Sequence, residues 1–199
     1  AVLAEHVRSG ARVMHLANAD SENLFSVSFP TPPADDTGLP HIMEHAALGG
    51  SRRFPVKEPF FEMVKMSMAT FINAMTASDH TMYPVSSNVR RDLFNLAEVY
   101  FDAVFHPELK EQTFQREGWH WALERPEDPS SALQVKGIVY SEMKGVYSTP
   151  DGLLWRHCQH GLFPDTPLGR DSGGDPAAIP QLTYEQLLAF HRRFYHPSN

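Results

Sequence analysis

The chain has 199 residues, 42% of them hydrophobic, and a formal net charge of −7 scattered along its length, which describes a folded globular protein without the basic surface of a nucleic-acid binder. No apolar stretch is long enough to span a bilayer and residues 1–6 do not form a signal peptide, so neither nucleic acid nor membrane is expected as a partner. The single cysteine, Cys158, excludes an intrachain disulfide and suits a reducing compartment, so cytoplasm or an organelle matrix is expected ahead of secretion.

Residues 11–16 and 24–29 are rich in β-formers around a polar turn at 18–23 and are predicted as an antiparallel pair. Pro30, Pro32 and Pro33 end the sheet. A helix is predicted next: Thr37 or Gly38 can cap it, Pro40 is tolerated in its first turn, and Gly49 and Gly50 can end it. Residues 58–68 carry Phe60, Phe61, Met63, Val64 and Met66, a pattern that suits a short buried helix. Such a methionine-rich stripe reads as core and not as a ligand set. Residues 69–76 and 80–86 read as a hairpin around 77–79, with Pro84 expected at an edge or irregular position. Asn88 is predicted to cap an amphipathic helix to about His106, its buried side formed by Leu93, Leu96, Ala97, Tyr100, Val104 and Phe105.

A second helix is predicted over residues 110–117, followed by a strand at 119–123. Residues 135–147 pass from strand or turn into a helix on which Glu142 lies four residues from both Ile138 and Val146. A carboxylate on such an apolar stripe requires a cation, a proton or a metal. Another helix begins at Asp151. Residues 163–180, rich in Gly, Pro and Asp, form a long loop whose length argues for a role in packing or access. Thr183 and Gln186 make a capping box for a last helix to about Tyr195.

The chemistry concentrates in residues 41–45. On a helix His41, Glu44 and His45 share a face. Two imidazoles four residues apart can point ring nitrogens at one metal, with the glutamate beside it as a base; the order H-x-x-E-H is the inverted form of the zinc peptidase motif. Since Leu39, Ile42, Met43, Ala46, Ala47 and Leu48 make the rest of this helix apolar, its polar side chains require a partner. A catalytic zinc takes three protein ligands, and spacing leaves the third open among Glu98, Glu117, Glu124, Glu142, His80 and His120, with Glu142 favoured by its apolar surroundings. His157, Cys158 and His160 are poorly spaced for a tetrahedral site. Residues 171–175 resemble a phosphate loop only in their glycines, since the lysine and the following apolar helix are missing.

Six segments in order, Thr37–His45, Gly50–Phe60, Asn73–Thr76, Glu117–His120, Glu142–Tyr147 and Asp171–Pro176, resemble the presequence protease branch of the pitrilysin and insulysin metallopeptidases over nearly the whole chain. The resemblance implies an α+β fold with a mixed, mainly antiparallel sheet packed with helices. It implies Zn2+ as cofactor, His41, His45 and Glu142 as its ligands, and Glu44 as the base in hydrolysis of short unstructured oligopeptides. Phe71–Thr76 matches the strand that binds substrate by edge addition, with Asn73 and Ala74 touching substrate backbone. Family members are much longer, so residues 1–199 are expected to be a single N-terminal catalytic domain cut before its last strand. A C-terminal half of the same protein or a related subunit would complete the chamber, and the domain alone would tend to self-associate. The alternative from another class is a non-catalytic peptide-binding or assembly subunit of the same fold.

Overall fold

The computed structural model describes all residues, Ala1–Asn199. Its centre is the helix α1 (Leu39–Ala47), which begins at Gly38 in the left-handed region (φ 68°) with Pro40 in its first turn and gives way at Leu48. A glycine is required at position 38: a Cβ there would lie 2.6 Å from the Cα of Gly174. Ile42, Met43, Ala46 and Ala47 are fully buried, so this helix is clad on most sides. Such burial is what fixes the rotation of its polar face.

The strands form three antiparallel sheets. β1 (Val2–Glu5) pairs with β2 (Arg12–His15); β3 (Asn23–Pro30) pairs with β6 (His80–Ser87), which on its other side meets β4 (Phe71–Ile72) and β5 (Met75–Thr76); β7 (His120–Leu123) pairs with β8 (Leu133–Lys136). The strands predicted at 11–16 and 24–29 therefore form but do not pair with each other. β2 takes β1 as partner through the turn bond from Gly10 N–H to the His6 carbonyl, while β3 runs the length of β6 from Asn23 opposite Ser87 to Pro30 opposite His80. The long-range pairing prevails because β3 can lay Phe29 into the core, whereas every residue of β2 is exposed.

The hairpin of 69–76 and 80–86 is present, yet Pro84 sits in the central strand and not at an edge. Phe71 pairs with Ser86 and Ile72 with Val85, and the same register resumes at Met75 opposite Met82. Between them the Asn73 N–H donates to the Pro84 carbonyl at 3.2 Å, and Pro84 has no N–H to return. The Tyr100 hydroxyl, from α3 (Arg90–Phe105), donates instead to the Asn73 carbonyl at 2.9 Å. A buried tyrosine thus closes the bond that a proline leaves open, and Phe71–Thr76 continues as one edge strand.

α3 buries Leu96, Ala97, Tyr100 and Val104 as expected and Ala103 besides, while Leu93 and Phe105 are only half-buried; it starts after Val89 with no side-chain cap, so Asn88 does not serve as one. α2 (Pro59–Met66) forms but buries only Pro59; Phe61, Val64 and Met66 face outward, which corrects the expectation of a core helix. Its apolar pattern belongs to a surface beside the cleft. α4 (Glu111–Glu117), α5 (Ile138–Val146), α6 (Pro150–Leu162) and α7 (Tyr184–Phe194) complete the chain, α7 opening on the capping box of Thr183 and Gln186. α1 packs against α4, α7 and β5, and one cluster joins Ile42 and Met43 to Val85, Tyr100, Val139, Leu187 and Phe190.

Candidate metal centre and cleft

His41 and His45, one turn apart on α1, hold their rings 4.9 Å apart and nearly perpendicular. Glu142 arrives from α5, with its Oε2 at 3.7 Å from His41 Nε2 and 3.9 Å from His45 Nε2. Tetrahedral zinc with bonds of about 2.0–2.2 Å would place its donors roughly 3.4 Å apart, so small side-chain adjustments bring these three atoms onto one ion. The donor chemistry fits as well. His41 Nδ1 lies 3.1 Å from the Gly173 carbonyl and His45 Nδ1 lies 3.2 Å from Glu117 Oε2, so each Nδ1–H donates outward and each Nε2 lone pair is left facing Glu142.

The side chain of Glu142 is 49% exposed, and Ile138 and Val146 are exposed as well rather than buried. It joins the histidines, therefore, but not because its apolar neighbours bury it: its helix face borders a cleft. Glu44 is the buried carboxylate, 6% exposed, and its Oε2 accepts a hydrogen bond of 2.6 Å from the Thr76 hydroxyl on β5. Burial pushes the Glu44 carboxyl above its ordinary value, against the opposing pull of Thr76 and the two imidazoles. For His45 burial acts downward, but the hydrogen bond to Glu117 and the surrounding carboxylates outweigh it and hold the ring above its ordinary value. For Glu117 burial acts upward, and the bonds from His45 and Arg116 bring the carboxyl below its ordinary value. Arg116 Nε donates to Glu117 Oε1 at 2.8 Å and its Nη1 reaches Glu58 at 3.1 Å.

The three donors open onto a cleft of about 840 Å³ whose far wall is the edge strand, Asn73 and Ala74 included, and whose flank carries Phe60 and Phe61 of α2. By the alternation of an antiparallel ladder, the inward bonds of Asn73 and Ala77 leave the Ala74 N–H and C=O pointing away from β6 toward the free edge. The remaining third-ligand candidates lie elsewhere or play other parts. Glu98 pairs with Arg53 at 2.6 Å, His120 bonds the Gln115 carbonyl, Glu124 is exposed on the surface, and His80 stands at the cleft's rim paired with Asp79. Glu117 faces the outer nitrogen of His45.

Sequence reasoning did not find the roles of Thr76, Tyr100 or Gly173. Each acts through one hydrogen bond between residues far apart in the chain, and no local spacing encodes that. Asp36, His160 and Asp171 also approach one another closely enough to share a cation, but Arg156 Nε (2.7 Å) and the Tyr147 hydroxyl (3.1 Å) already occupy the Asp171 oxygens.

Residues 32–145, more than half of the chain, match the family described as Insulinase (Peptidase family M16). Presequence protease 1, chloroplastic/mitochondrial, of Arabidopsis thaliana is 52% identical over the whole chain, and the mitochondrial presequence protease of Danio rerio is 53% identical over the same extent. Protein HypA of Clostridium perfringens is 47% identical over 98% of the chain. The chain spans only 18 to 20% of the length of these relatives. Among solved structures, a protease from Helicobacter pylori superposes with a TM-score of 0.73 at 18% identity, covering all of this chain and 44% of that one. Pitrilysin superposes with a TM-score of 0.63 at 21% identity over 90% of this chain and 18% of its own. These structures share the fold, and the family match together with relatives half-identical from end to end establishes that the chain belongs to the insulinase family of peptidases, family M16.

Proposed function

We propose that this chain is the zinc-holding catalytic portion of a metalloendopeptidase for short unstructured oligopeptides, with His41, His45 and Glu142 as ligands and Glu44 as general base. The observation that carries the reading is the meeting of His41 Nε2, His45 Nε2 and Glu142 Oε2 while both Nδ1 atoms are engaged behind them. Bound there, zinc would polarise a peptide carbonyl and lower the pKa of a water from 15.7 toward about 7.

Everything else falls to the chain's own residues. Glu44 Oε2 is held by Thr76, which leaves Oε1 to take the proton of the attacking water and return it to the departing amine. The upward direction of its shift, caused by burial, favours a carboxyl that must hold the proton before giving it back. The edge strand aligns the substrate: Ala74 offers its outward N–H and C=O to an extended peptide, and the Asn73 side chain adds a polar contact at the cleft wall. Recognition through main chain explains a preference for unfolded segments over any one sequence. Peptides with secondary structure present no free strand to pair.

The names of the plant and fish relatives support an organelle matrix as the compartment, and no helix is long and apolar enough to cross a membrane. The test combines metal analysis with one substitution. The chain is expected to bind about one zinc that a chelator removes, and Glu44→Gln to keep the zinc while losing about 10²-fold or more in hydrolysis of an unstructured peptide. Absence of zinc after loading would sink the metal assignment. A Glu44→Gln chain as active as the parent would sink the base, and peptide binding without turnover in the parent, even together with the C-terminal half of a longer relative, would support the non-catalytic subunit instead.

A further inference from the structure

The long loop expected between α6 and α7 does more than connect them. Residues 171–175 cross the start of α1 so closely that a Cβ on Gly38 would meet the Gly173 carbonyl at 2.7 Å, and one on Gly173 would meet Met143 at 2.9 Å. At the middle of this loop the Gly173 carbonyl accepts the Nδ1–H of His41. Its two ends are gripped by one guanidinium. Arg156 Nε donates to Asp171 Oδ2 at 2.7 Å, and Arg156 Nη2 donates to Asp175 Oδ2. On the opposite side Asp36 accepts both loop ends again, the Asp171 N–H at its Oδ1 (2.9 Å) and the Asp175 N–H at its main-chain carbonyl (2.8 Å).

Asp171 is buried and receives two further donors, the Tyr147 hydroxyl at 3.1 Å and His160 Nε2 at 3.2 Å. The Arg156 guanidinium also lies over the Tyr147 ring, 5.1 Å from its centroid. α6 itself buries no residue, and its Arg156 and His160 tie it to this loop through Asp171. The planar fork of arginine suits the task, because it can hold two carboxylates at a set separation where a lysine would hold them only as a point charge.

We infer that Arg156 is a positioning residue for His41: by clasping Asp171 and Asp175 it fixes the Gly173 carbonyl, which in turn fixes the orientation and tautomer of the His41 ring. The inference rests on the reading of His41 as a zinc ligand. His45 is held independently by Glu117, so the two rings give an internal comparison.

The test measures zinc affinity of the full chain by competition with a chromogenic chelator, and follows the two ring Nδ1–H protons in spectra of nitrogen-labelled histidine. Arg156→Met is expected to weaken zinc binding by about 10-fold to 100-fold and to speed exchange of the His41 Nδ1–H while leaving that of His45 unchanged. Arg156→Lys should recover part of the loss. Zinc affinity within twofold of the parent in Arg156→Met, or equal loosening of both rings, would overturn the inference. Should that variant fail to fold, Asp175→Ala removes one arm of the clasp and is read by the same two outcomes. A parent chain that binds no zinc overturns the ligand reading and this inference together, whereas a zinc-binding parent beside an unaffected Arg156→Met overturns this inference alone.

Discussion

His191, on α7, donates its Nε2–H to the Val104 carbonyl at 2.8 Å and stacks on Tyr195. Burial disfavours the charged ring and, despite that carbonyl, holds its pKa below the ordinary value. In the unfolded chain the same ring titrates near about 6.5, so below that pH the unfolded state binds the extra proton first. The contribution to stability is fully present above about pH 6.5 and is lost as pH falls from there through the lower folded-state value. His191→Gln keeps an N–H donor and cannot charge. With metal chelated, its melting temperature should therefore fall less between pH 7.5 and 5 than that of the parent; parallel curves would mean that His191 is not a source of the acid sensitivity. Glu44 and His45 show the same arithmetic applied to chemistry: one carboxyl is raised by burial, and one imidazole is raised by a carboxylate that outweighs burial.

Among the elements, the edge strand Phe71–Thr76 is the one whose integrity depends on a neighbour. Pro84 would be expected to exile its strand to an edge, because it cannot donate to the ladder. Tyr100 removes the penalty by donating to the orphaned Asn73 carbonyl, so the proline stands in the centre and the edge falls where the cleft needs it. Tyr100→Phe leaves that carbonyl without its partner and should lower stability by about 1–2 kcal/mol. The Asn73 amide should also exchange faster with solvent, since the two bonds brace the same residue. Unchanged denaturation together with unchanged exchange over residues 72–76 would show that the tyrosine hydroxyl is dispensable. α2 illustrates the converse: its apolar pattern correctly marked a helix but not its burial, because period alone does not tell a core face from a face lining a groove.

On the scale of the molecule, the surface carries more apolar area than one small domain needs. Phe61, Val64 and Met66 on α2, Leu154 and Trp155 on α6, and Leu3 and Met14 on β1 and β2 are all exposed. Patches of this kind mark surfaces that other chain segments cover or that copies bury against one another. We propose that the residues completing the catalytic chamber come from a second half such as the longer relatives possess. The isolated chain should then self-associate with concentration in light scattering. Its hydrolysis of a short unstructured peptide should rise by about 10²-fold or more, the scale of one oxyanion donor supplied by the added half, when the separately expressed second half of a presequence protease relative is added. A monomeric chain whose activity is indifferent to that addition would show the site to be complete.

The sequence by itself determined what is local. A helical turn places His41, Glu44 and His45 on one face whatever surrounds it, and the capping box of α7, the hairpin ending in β6 and the amphipathic α3 follow from spacings of two to four residues. It also pointed to Glu142, though through a burial that the fold does not provide. The tertiary structure alone decided which partner β3 would choose, that Glu117 would stand behind His45, that Gly173 would stand behind His41, and that Thr76 would hold Glu44. The physical reason is the same in each case. Helical period and turn chemistry act over a few residues, whereas a hydrogen bond between residues 32, 72 or 132 positions apart exists only after the core around α1 has set the distance between them.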